Sequence, residues 1–267
     1  MSYCLDDLRY LMARLRDPED GCPWDVKQTF RSIVPHTLEE VYELADAIES
    51  GDVEQIRQEM GDVLFQLIFY SQLAEEQSAF DFDAVVDGIT RKLLRRHPHV
   101  FPDGTLESRR DGAAPNDAQI KRRWEDIKSE EREAKAQHSA LDDIPLALPA
   151  ASRASKLQKR ASQQGFDWQN VEGVMVALED ELAELREAMQ VGESAAIEDE
   201  LGDVLFSVVN LSRHLGLDAE ATLRKAGQKF ERRFRFVEAQ ANEGEGVAAT
   251  PRHQLEAYWQ QAKKAGL

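Results

Sequence analysis

Apolar residues recur at spacings of three and four along most of the chain, which is the period of an amphipathic helix. Val41, Leu44 and Ile48 keep this spacing, and Val63 and Leu67 repeat it further on. No stretch sustains the alternation of apolar and polar positions that is typical of a strand. The pattern therefore predicts an all-α protein.

The same pattern occurs twice in one chain. Residues 38–44 return as 179–185, and residues 59–65 return as 200–206, both at an offset of 141. Later positions repeat in the same order at offsets of 137 and 135, so the offset changes only across expected loops. A repeat of this length is the signature of one supersecondary unit used twice.

The repeat predicts two tandem helical domains, named the first and second copy below. The first copy is expected to span residues 1–135 and the second copy residues 151–267. A linker is expected over residues 136–150, where Pro145 and Pro149 stand beside an Ala-rich tract.

Each copy places two pairs of acidic residues on helix faces. Residues three apart share a face, and a turn at Gly51 or Gly192 would bring the two faces together as an antiparallel hairpin. The first acid of each pair extends the apolar stripe of its helix, so we expect it to be partly buried. The acids are Glu40, Glu43, Glu59 and Asp62 in the first copy and Glu181, Glu184, Glu200 and Asp203 in the second.

Several ionised carboxylates do not share a partly buried place unless they take up protons or a cation. A donor set made only of oxygen favours a hard ion, so these eight acids are predicted Mg²⁺ ligands, with Mn²⁺ as the alternative.

The competing interpretation is that the acids form solvated helix faces or caps. Thr37 and Glu40 do have the spacing of a capping box. In the second copy Leu178 replaces the threonine while Glu181 is kept, so capping does not explain the repeated glutamate. The repetition favours metal binding.

A later helix of each copy carries a Lys and an Arg four residues apart, and the helix after it carries a Trp and a Lys four apart. Cations with this spacing share a face and can contact phosphate oxygens that a metal does not reach. The tryptophans either stack on a base or pack in the core. The predicted substrate-binding residues are Lys92, Arg96, Trp124, Lys128, Lys229, Arg233, Trp259 and Lys263. We interpret His97-Pro98-His99 as a loop feature, because the second copy has Phe234-Arg235-Phe236 there.

Composition narrows the classes of partner. The chain has 33 Lys and Arg against 50 Asp and Glu, a net charge of -17, which disfavours a nucleic-acid polymer. Apolar stretches are shorter than the roughly 20 residues of a membrane span, so no membrane association is expected. Cys4 and Cys22 form no disulfide framework, which indicates a reducing compartment and predicts a cytoplasmic protein.

These motifs resemble the MazG family of all-α nucleoside triphosphate pyrophosphohydrolases. The most specific parts are Cys22-Pro23-Trp24-Asp25 with Gln28-Thr29-Phe30, Glu39-Glu40-x-x-Glu43 with Glu59-x-x-Asp62, and the run from Lys229 to Phe234. In the second copy Asp180 stands where the motif has its first Glu.

The resemblance implies four-helix-bundle-like domains that are completed by homodimerisation. It also implies Mg²⁺-dependent conversion of a (d)NTP to (d)NMP and pyrophosphate, by attack of water on the α-phosphorus. Glu181, Glu184, Glu200 and Asp203 would be catalytic, with Lys229, Arg233, Trp259 and Lys263 closing on the nucleotide.

Two alternatives stay open at this point. One is a narrower dUTP or modified-dNTP pyrophosphatase, whose acids would look the same. The other is a duplicated helical scaffold that binds Mg²⁺ structurally. The basic residues favour an enzyme over a scaffold, and the denser acid cluster of the second copy favours that copy as the more active one.

Overall fold

The computed structural model describes residues 2–113, 115–134, 139–244 and 246–267, except the side chains at positions 121, 125, 128–130 and 132–134. Over these residues the chain forms ten α-helices and no strand, which confirms the all-α prediction. In chain order the helices are α1 (Leu5–Leu15), α2 (Phe30–Ser50), α3 (Val53–Glu76), α4 (Phe82–Arg96), α5 (Asp117–Ala134), α6 (Ala150–Gln163), α7 (Val171–Val191), α8 (Ser194–His214), α9 (Ala219–Asn242) and α10 (Arg252–Lys264).

The chain divides into two compact units, Met1–Glu130 and Glu131–Leu267. Helices α1–α4 belong to the first unit, α6–α10 belong to the second, and α5 spans the division. Residues 136–138 of the expected linker lie outside the described part of the chain. The proposed domain limits therefore stay a prediction.

Each copy contains a helical hairpin in which the acid-bearing helices pack side by side, α2 on α3 and α7 on α8. Gly51 ends α2 in the left-handed conformation, with φ of 78°, and Gly192 ends α7 in the same way, with φ of 81°. Such a residue reverses the chain without steric cost only when it lacks a side chain. The Asp52 side chain then accepts hydrogen bonds from the first backbone amides of α3, so the second helix begins at once.

The core of the first unit lies where α1, α2 and α3 meet. Met12, Ile33, Ile68, Phe69 and Leu73 are almost fully buried there. Burial of such side chains contributes roughly 1.5–3 kcal/mol each and fixes the hairpin on the rest of the unit.

The apolar stripe that carries the acids is only partly buried within the chain. Ile48 is 58% exposed and Leu67 is 51% exposed, although both keep the helical spacing of the apolar stripe. Exposed apolar side chains in register along a hairpin are typical of a surface that packs against another molecule or segment.

The capping interpretation of Thr37 is wrong, because α2 begins seven residues earlier, at Phe30. Thr29 is the N-cap, and its side chain accepts a hydrogen bond from the Ser32 backbone amide. The Thr37 hydroxyl lies inside the helix, 2.8 Å from the Tyr70 hydroxyl. Glu40 therefore lies inside α2 and does not cap it.

In the first copy a buried arginine holds the loop that leads into α2. Arg16 donates through Nε and Nη2 to the two carboxylate oxygens of Glu76, at 2.8 and 2.6 Å. It also donates to the backbone oxygen of Asp25, in the short 3₁₀ turn Asp25–Lys27. One guanidinium thereby connects α1, the loop before α2, and the end of α3.

In the second copy a different network holds the corresponding loop. Asp167 accepts hydrogen bonds from Arg213, at the end of α8, and lies 3.0 Å from His214 Nε2. The hydrogen bonds from Arg213, with a smaller contribution from His214, lower the pKa of Asp167 from 3.8 to about 2. The Trp168 ring next to it lies close to Gly173, in the first turn of α7.

Among the described residues, no helix is both long enough and apolar enough to cross a membrane.

Candidate active site

The two hairpins set the four acids of each copy at matched heights. Glu43 and Glu59 each lie eight residues from Gly51, and Glu40 and Asp62 each lie eleven residues from it. At a rise of 1.5 Å per residue these are heights of about 12 and 16 Å above the turn. In the second copy Glu184 and Glu200 share the lower height relative to Gly192, and Glu181 and Asp203 share the upper one.

The structure brings three glutamates of each copy together. One carboxylate oxygen from each of Glu40, Glu43 and Glu59 lies within 4.8 Å of the others, and Glu181, Glu184 and Glu200 form the same arrangement. In each set the middle residue is exposed and the other two are half-buried. Oxygens this close can surround a single divalent cation with bonds of about 2.0–2.6 Å.

The fourth acid of each copy acts on the cluster through its charge. Burial raises the pKa of Glu40, and Asp62 is the neighbour that raises it most, followed by Glu43. Burial likewise raises the pKa of Glu181, and Asp203 is again the strongest neighbour. In both copies the acid at the same height on the opposite helix is therefore the neighbour that raises the glutamate pKa most.

Glu200 is the cluster residue whose surroundings best fit a bound cation. Its Oε2 atom is buried and accepts no hydrogen bond from any described residue. Burial raises the pKa of Glu200, with further increases from Glu184 and Asp203. A buried carboxylate oxygen without a donor is costly, and a metal ion would satisfy it. The oxygen-only donor set fits a hard ion such as Mg²⁺.

In the second copy the predicted cation and tryptophan lie together. Arg233 donates through Nε to the backbone oxygen of Leu267 at 2.6 Å, and its guanidinium carbon lies 5.8 Å from the centre of the Trp259 ring. Trp259 also packs on Phe230 at 5.4 Å. Lys229 and Lys263 are exposed and form no ion pair with any described residue.

In the first copy the corresponding tryptophan has a different neighbour. The ring centres of Trp124 and His97 lie 5.8 Å apart. His97 Nδ1 lies 2.7 Å from the backbone oxygen of Leu93, near the end of α4. Lys92 is exposed and Arg96 is half-buried on α4. The Lys128 side chain lies outside the described part of α5. The contact of His97 with Trp124 is compatible with the loop role expected for His97-Pro98-His99.

Sequence reasoning missed Tyr42, Asp46 and Gln55, which continue the first copy's acid cluster into a groove. The groove walls combine two cluster acids, Glu43 and Glu59, with Glu39, Tyr42, Asp46 and Gln55. Tyr42 lies inside the motif itself, between Glu40 and Glu43. Its spacing was the available signal, because Tyr42 lies three residues from Glu39 and four from Asp46 and so shares their helix face.

Comparison with known proteins identifies the family. The MazG nucleotide pyrophosphohydrolase domain matches residues 28–101 and again residues 169–237, which together cover more than half of the chain. This chain belongs to the MazG family. The two MazG matches contain all eight acids and both Lys/Arg pairs, whereas Trp124 and Trp259 lie beyond them.

Similarity to individual MazG-family members extends over nearly the whole chain. The nucleoside triphosphate pyrophosphohydrolase of Escherichia coli K12 is 50% identical over 263 residues, which is 97% of each protein. The nucleoside triphosphate pyrophosphohydrolase/pyrophosphatase MazG of Thermotoga maritima is 42% identical over 97% of this chain and 95% of its own length. The Mycobacterium tuberculosis nucleoside triphosphate pyrophosphohydrolase is 34% identical over 91% of this chain.

Proposed function

We propose that this MazG-family chain is a Mg²⁺-dependent nucleoside triphosphate pyrophosphohydrolase that converts a (d)NTP and water to a (d)NMP and pyrophosphate. The observation that carries the proposal is the glutamate cluster, formed twice with the same geometry and including the unsatisfied Glu200 oxygen. Relatives that are 42–50% identical over nearly the full chain are nucleoside triphosphate pyrophosphohydrolases, which supports the same reaction.

The four acids of each hairpin would hold the metal, with Mn²⁺ as a substitute. Bound there, Mg²⁺ would neutralise phosphate charge and make the α-phosphorus more open to attack. Glu43 and Glu184 are the exposed members of their clusters, so they face the side from which substrate and water arrive. A cluster carboxylate not engaged as a ligand would orient that water and accept its proton.

The basic residues would bind the phosphate groups that the acids cannot approach. Arg233 is oriented by Trp259 and by the Leu267 backbone oxygen, and Lys229 on the same helix keeps its ammonium group exposed. Lys263 would add to them, and Lys92, Arg96 and Lys128 would serve the first copy. Their charge stabilises the pyrophosphate that leaves.

We also infer that the chain works as a homodimer in the cytoplasm. The apolar residues of α8, among them Leu205 and Phe206, are 60% and 43% exposed, which supports burial against a partner chain. Cys4 and Cys22 are free thiols, which suits a reducing compartment. Light scattering should give twice the mass of 30.2 kDa, and a monomer at micromolar concentration would contradict the dimer.

Product analysis tests the reaction. The protein is incubated with Mg²⁺ and each of the eight common NTPs and dNTPs, and also with dUTP. We expect NMP and pyrophosphate as the products, and we expect EDTA to prevent their formation. NDP with phosphate would refute the chemistry, turnover of dUTP alone would narrow the substrate class, and no turnover would favour a Mg²⁺-binding scaffold.

A further inference from the structure

The groove of the first copy extends from the acid cluster towards the hairpin turn. Asp46 and Gln55 lie five and four residues from Gly51, nearer the turn than Glu43 and Glu59, and all four residues line one open space. A substrate whose phosphates are held at the acids would therefore have further room along the same two helices.

Charge decides which part of a nucleotide can occupy this groove. Four of its six lining side chains are carboxylates, which repel phosphates that lack a metal ion. The nucleoside part of the substrate is uncharged, and its hydroxyl and amino groups can donate hydrogen bonds to carboxylates. The nucleoside is thus the portion that fits the groove.

Two of the lining residues can recognise a base. Tyr42 is 48% exposed and presents an aromatic ring, on which any base can stack. Gln55 carries an amide that both donates and accepts hydrogen bonds, so it can distinguish one base edge from another.

The second copy keeps acids at the corresponding positions but lacks both recognition groups. At the offset of 141, Asp180 and Glu187 replace Glu39 and Asp46, whereas Ala183 and Ala196 replace Tyr42 and Gln55. Helices α2 and α7 start and stop at this offset, and α3 and α8 start at it, so these positions are structurally equivalent.

We propose that Tyr42 and Gln55 select the nucleobase at the first copy's site, so that the two copies of one chain differ in base preference. This inference rests on the proposed function, because it assumes that a nucleoside triphosphate binds at the acid cluster. Tyr42 contributes affinity for every base, and Gln55 contributes the discrimination among them.

Binding to the full-length chain tests this inference directly. The second copy is inactivated by Glu200→Ala and Asp203→Ala, and calorimetry measures binding of Mg²⁺ with the α,β-methylene analogues of ATP, GTP, CTP and UTP. Tyr42→Ala should weaken all four by about ten-fold or more, as expected for loss of a stacking platform. Tyr42→Phe is the matched control and should keep the affinity, because it keeps the ring.

Gln55→Ala should act on the ratio between analogues rather than on affinity as a whole. We expect the ratio of strongest to weakest binding to shrink by about two- to ten-fold, the range for one lost hydrogen bond. The reciprocal variant carries Ala183→Tyr and Ala196→Gln in a chain whose first copy is inactivated by Glu59→Ala and Asp62→Ala. Its base ratio should move towards that of the first copy.

Unchanged base ratios in Gln55→Ala and in the reciprocal variant, or no analogue binding to the first copy, would overturn the inference. Thermal unfolding checks that each variant is folded, which is expected because Tyr42 is exposed and Gln55 is only half-buried, outside the core. Failure of the proposed function would appear separately, as absence of NMP and pyrophosphate from the unmodified chain.

Discussion

The two copies share the geometry of their acids and differ in the contacts that hold the loop before each hairpin. Both hairpins place four carboxylates at the same two heights and bring three glutamates within 4.8 Å. The loop before the first hairpin is held by Arg16 and Glu76, whereas the loop before the second is held by Asp167 and Arg213. The comparison teaches that one arrangement of acids can be held in place by different supporting contacts.

The largest expected effect separates the contribution of each hairpin. We expect the chain with Glu59→Ala, Asp62→Ala, Glu200→Ala and Asp203→Ala to lose at least about a hundred-fold in kcat, because metal and water lose their ligands. The chain with only the first pair of substitutions should keep most of the turnover, because the second copy has the denser acid cluster. Pyrophosphate release measures both.

Circular dichroism and light scattering serve as controls for these chains. A quadruple variant that remains folded and fully active would refute the assignment of the acids. A chain that loses its turnover with the first pair alone would reverse the expected order of the two copies.

The next effect tests the support of the first hairpin. Arg16→Met should lower the free energy of unfolding of the first unit by about 3 kcal/mol, since breaking a buried pair leaves its partners unsatisfied. Arg16 has only 6% of its side chain exposed, against 35% for Glu76. Urea unfolding measures the loss, and Arg57→Met, which breaks an exposed pair with Glu54, is the matched control. Equal losses in the two variants would show that Arg16 is not a structural centre.

A smaller effect is expected at the support of the second hairpin. Asp167→Asn should lower the free energy of unfolding by about 1–2 kcal/mol at neutral pH, after allowance for the partial exposure of the ion pair. The pKa of Asp167 is lowered, so its contribution is complete above the ordinary value of 3.8 and is lost as the pH falls towards about 2. Urea unfolding of both chains between pH 7 and pH 2 should therefore converge at the acid end.

Glu198→Gln, at an exposed position on α8, is the control for that experiment. A difference between the Asp167→Asn chain and the unmodified chain that stays constant down to pH 2 would show that the charge of Asp167 is not what stabilises the loop.

The smallest effect concerns the metal itself. Mg²⁺ at about four times its dissociation constant should stabilise the folded chain by about 1 kcal/mol for each occupied copy, by mass action. Differential scanning calorimetry with and without EDTA measures the shift in Tm. In the Glu200→Ala, Asp203→Ala chain, added Mg²⁺ should give only the part of the Tm shift that comes from the first copy. An unchanged Tm in the unmodified chain would argue against a metal at either cluster.

The sequence predicted the hairpins and the acid clusters because both depend on local spacing. A repeat offset of 141 covers the turn glycines, the helix starts and all eight acids, so no long-range contact had to be known. The cap of α2 was not predicted, because Thr37 and Glu40 have capping spacing although the helix begins at Phe30 and contains Pro35 five residues after its first residue.

The supporting networks could not be predicted, because their partners are distant in the chain. Arg16 and Glu76 lie 60 residues apart, and Asp167 lies 46 residues from Arg213. No local pattern singles out such pairs from other charged residues in a chain with 31% charged positions. The exposed half of the apolar stripe was missed for another reason, since spacing indicates that a face is apolar but not which molecule covers it.

The tight turns at Gly51 and Gly192 make each site depend on length as well as on composition. One residue inserted into such a turn would move the following helix by about 1.5 Å and rotate it by about 100°, because those are the steps of an α-helix. The inserted chain would keep every carboxylate and still separate Glu43 from Glu59, or Glu184 from Glu200. An insertion in the turn can thus disrupt the acid cluster of either copy without replacing any acid. Substitutions alone do not change the number of residues between the acids, so they leave this spacing intact.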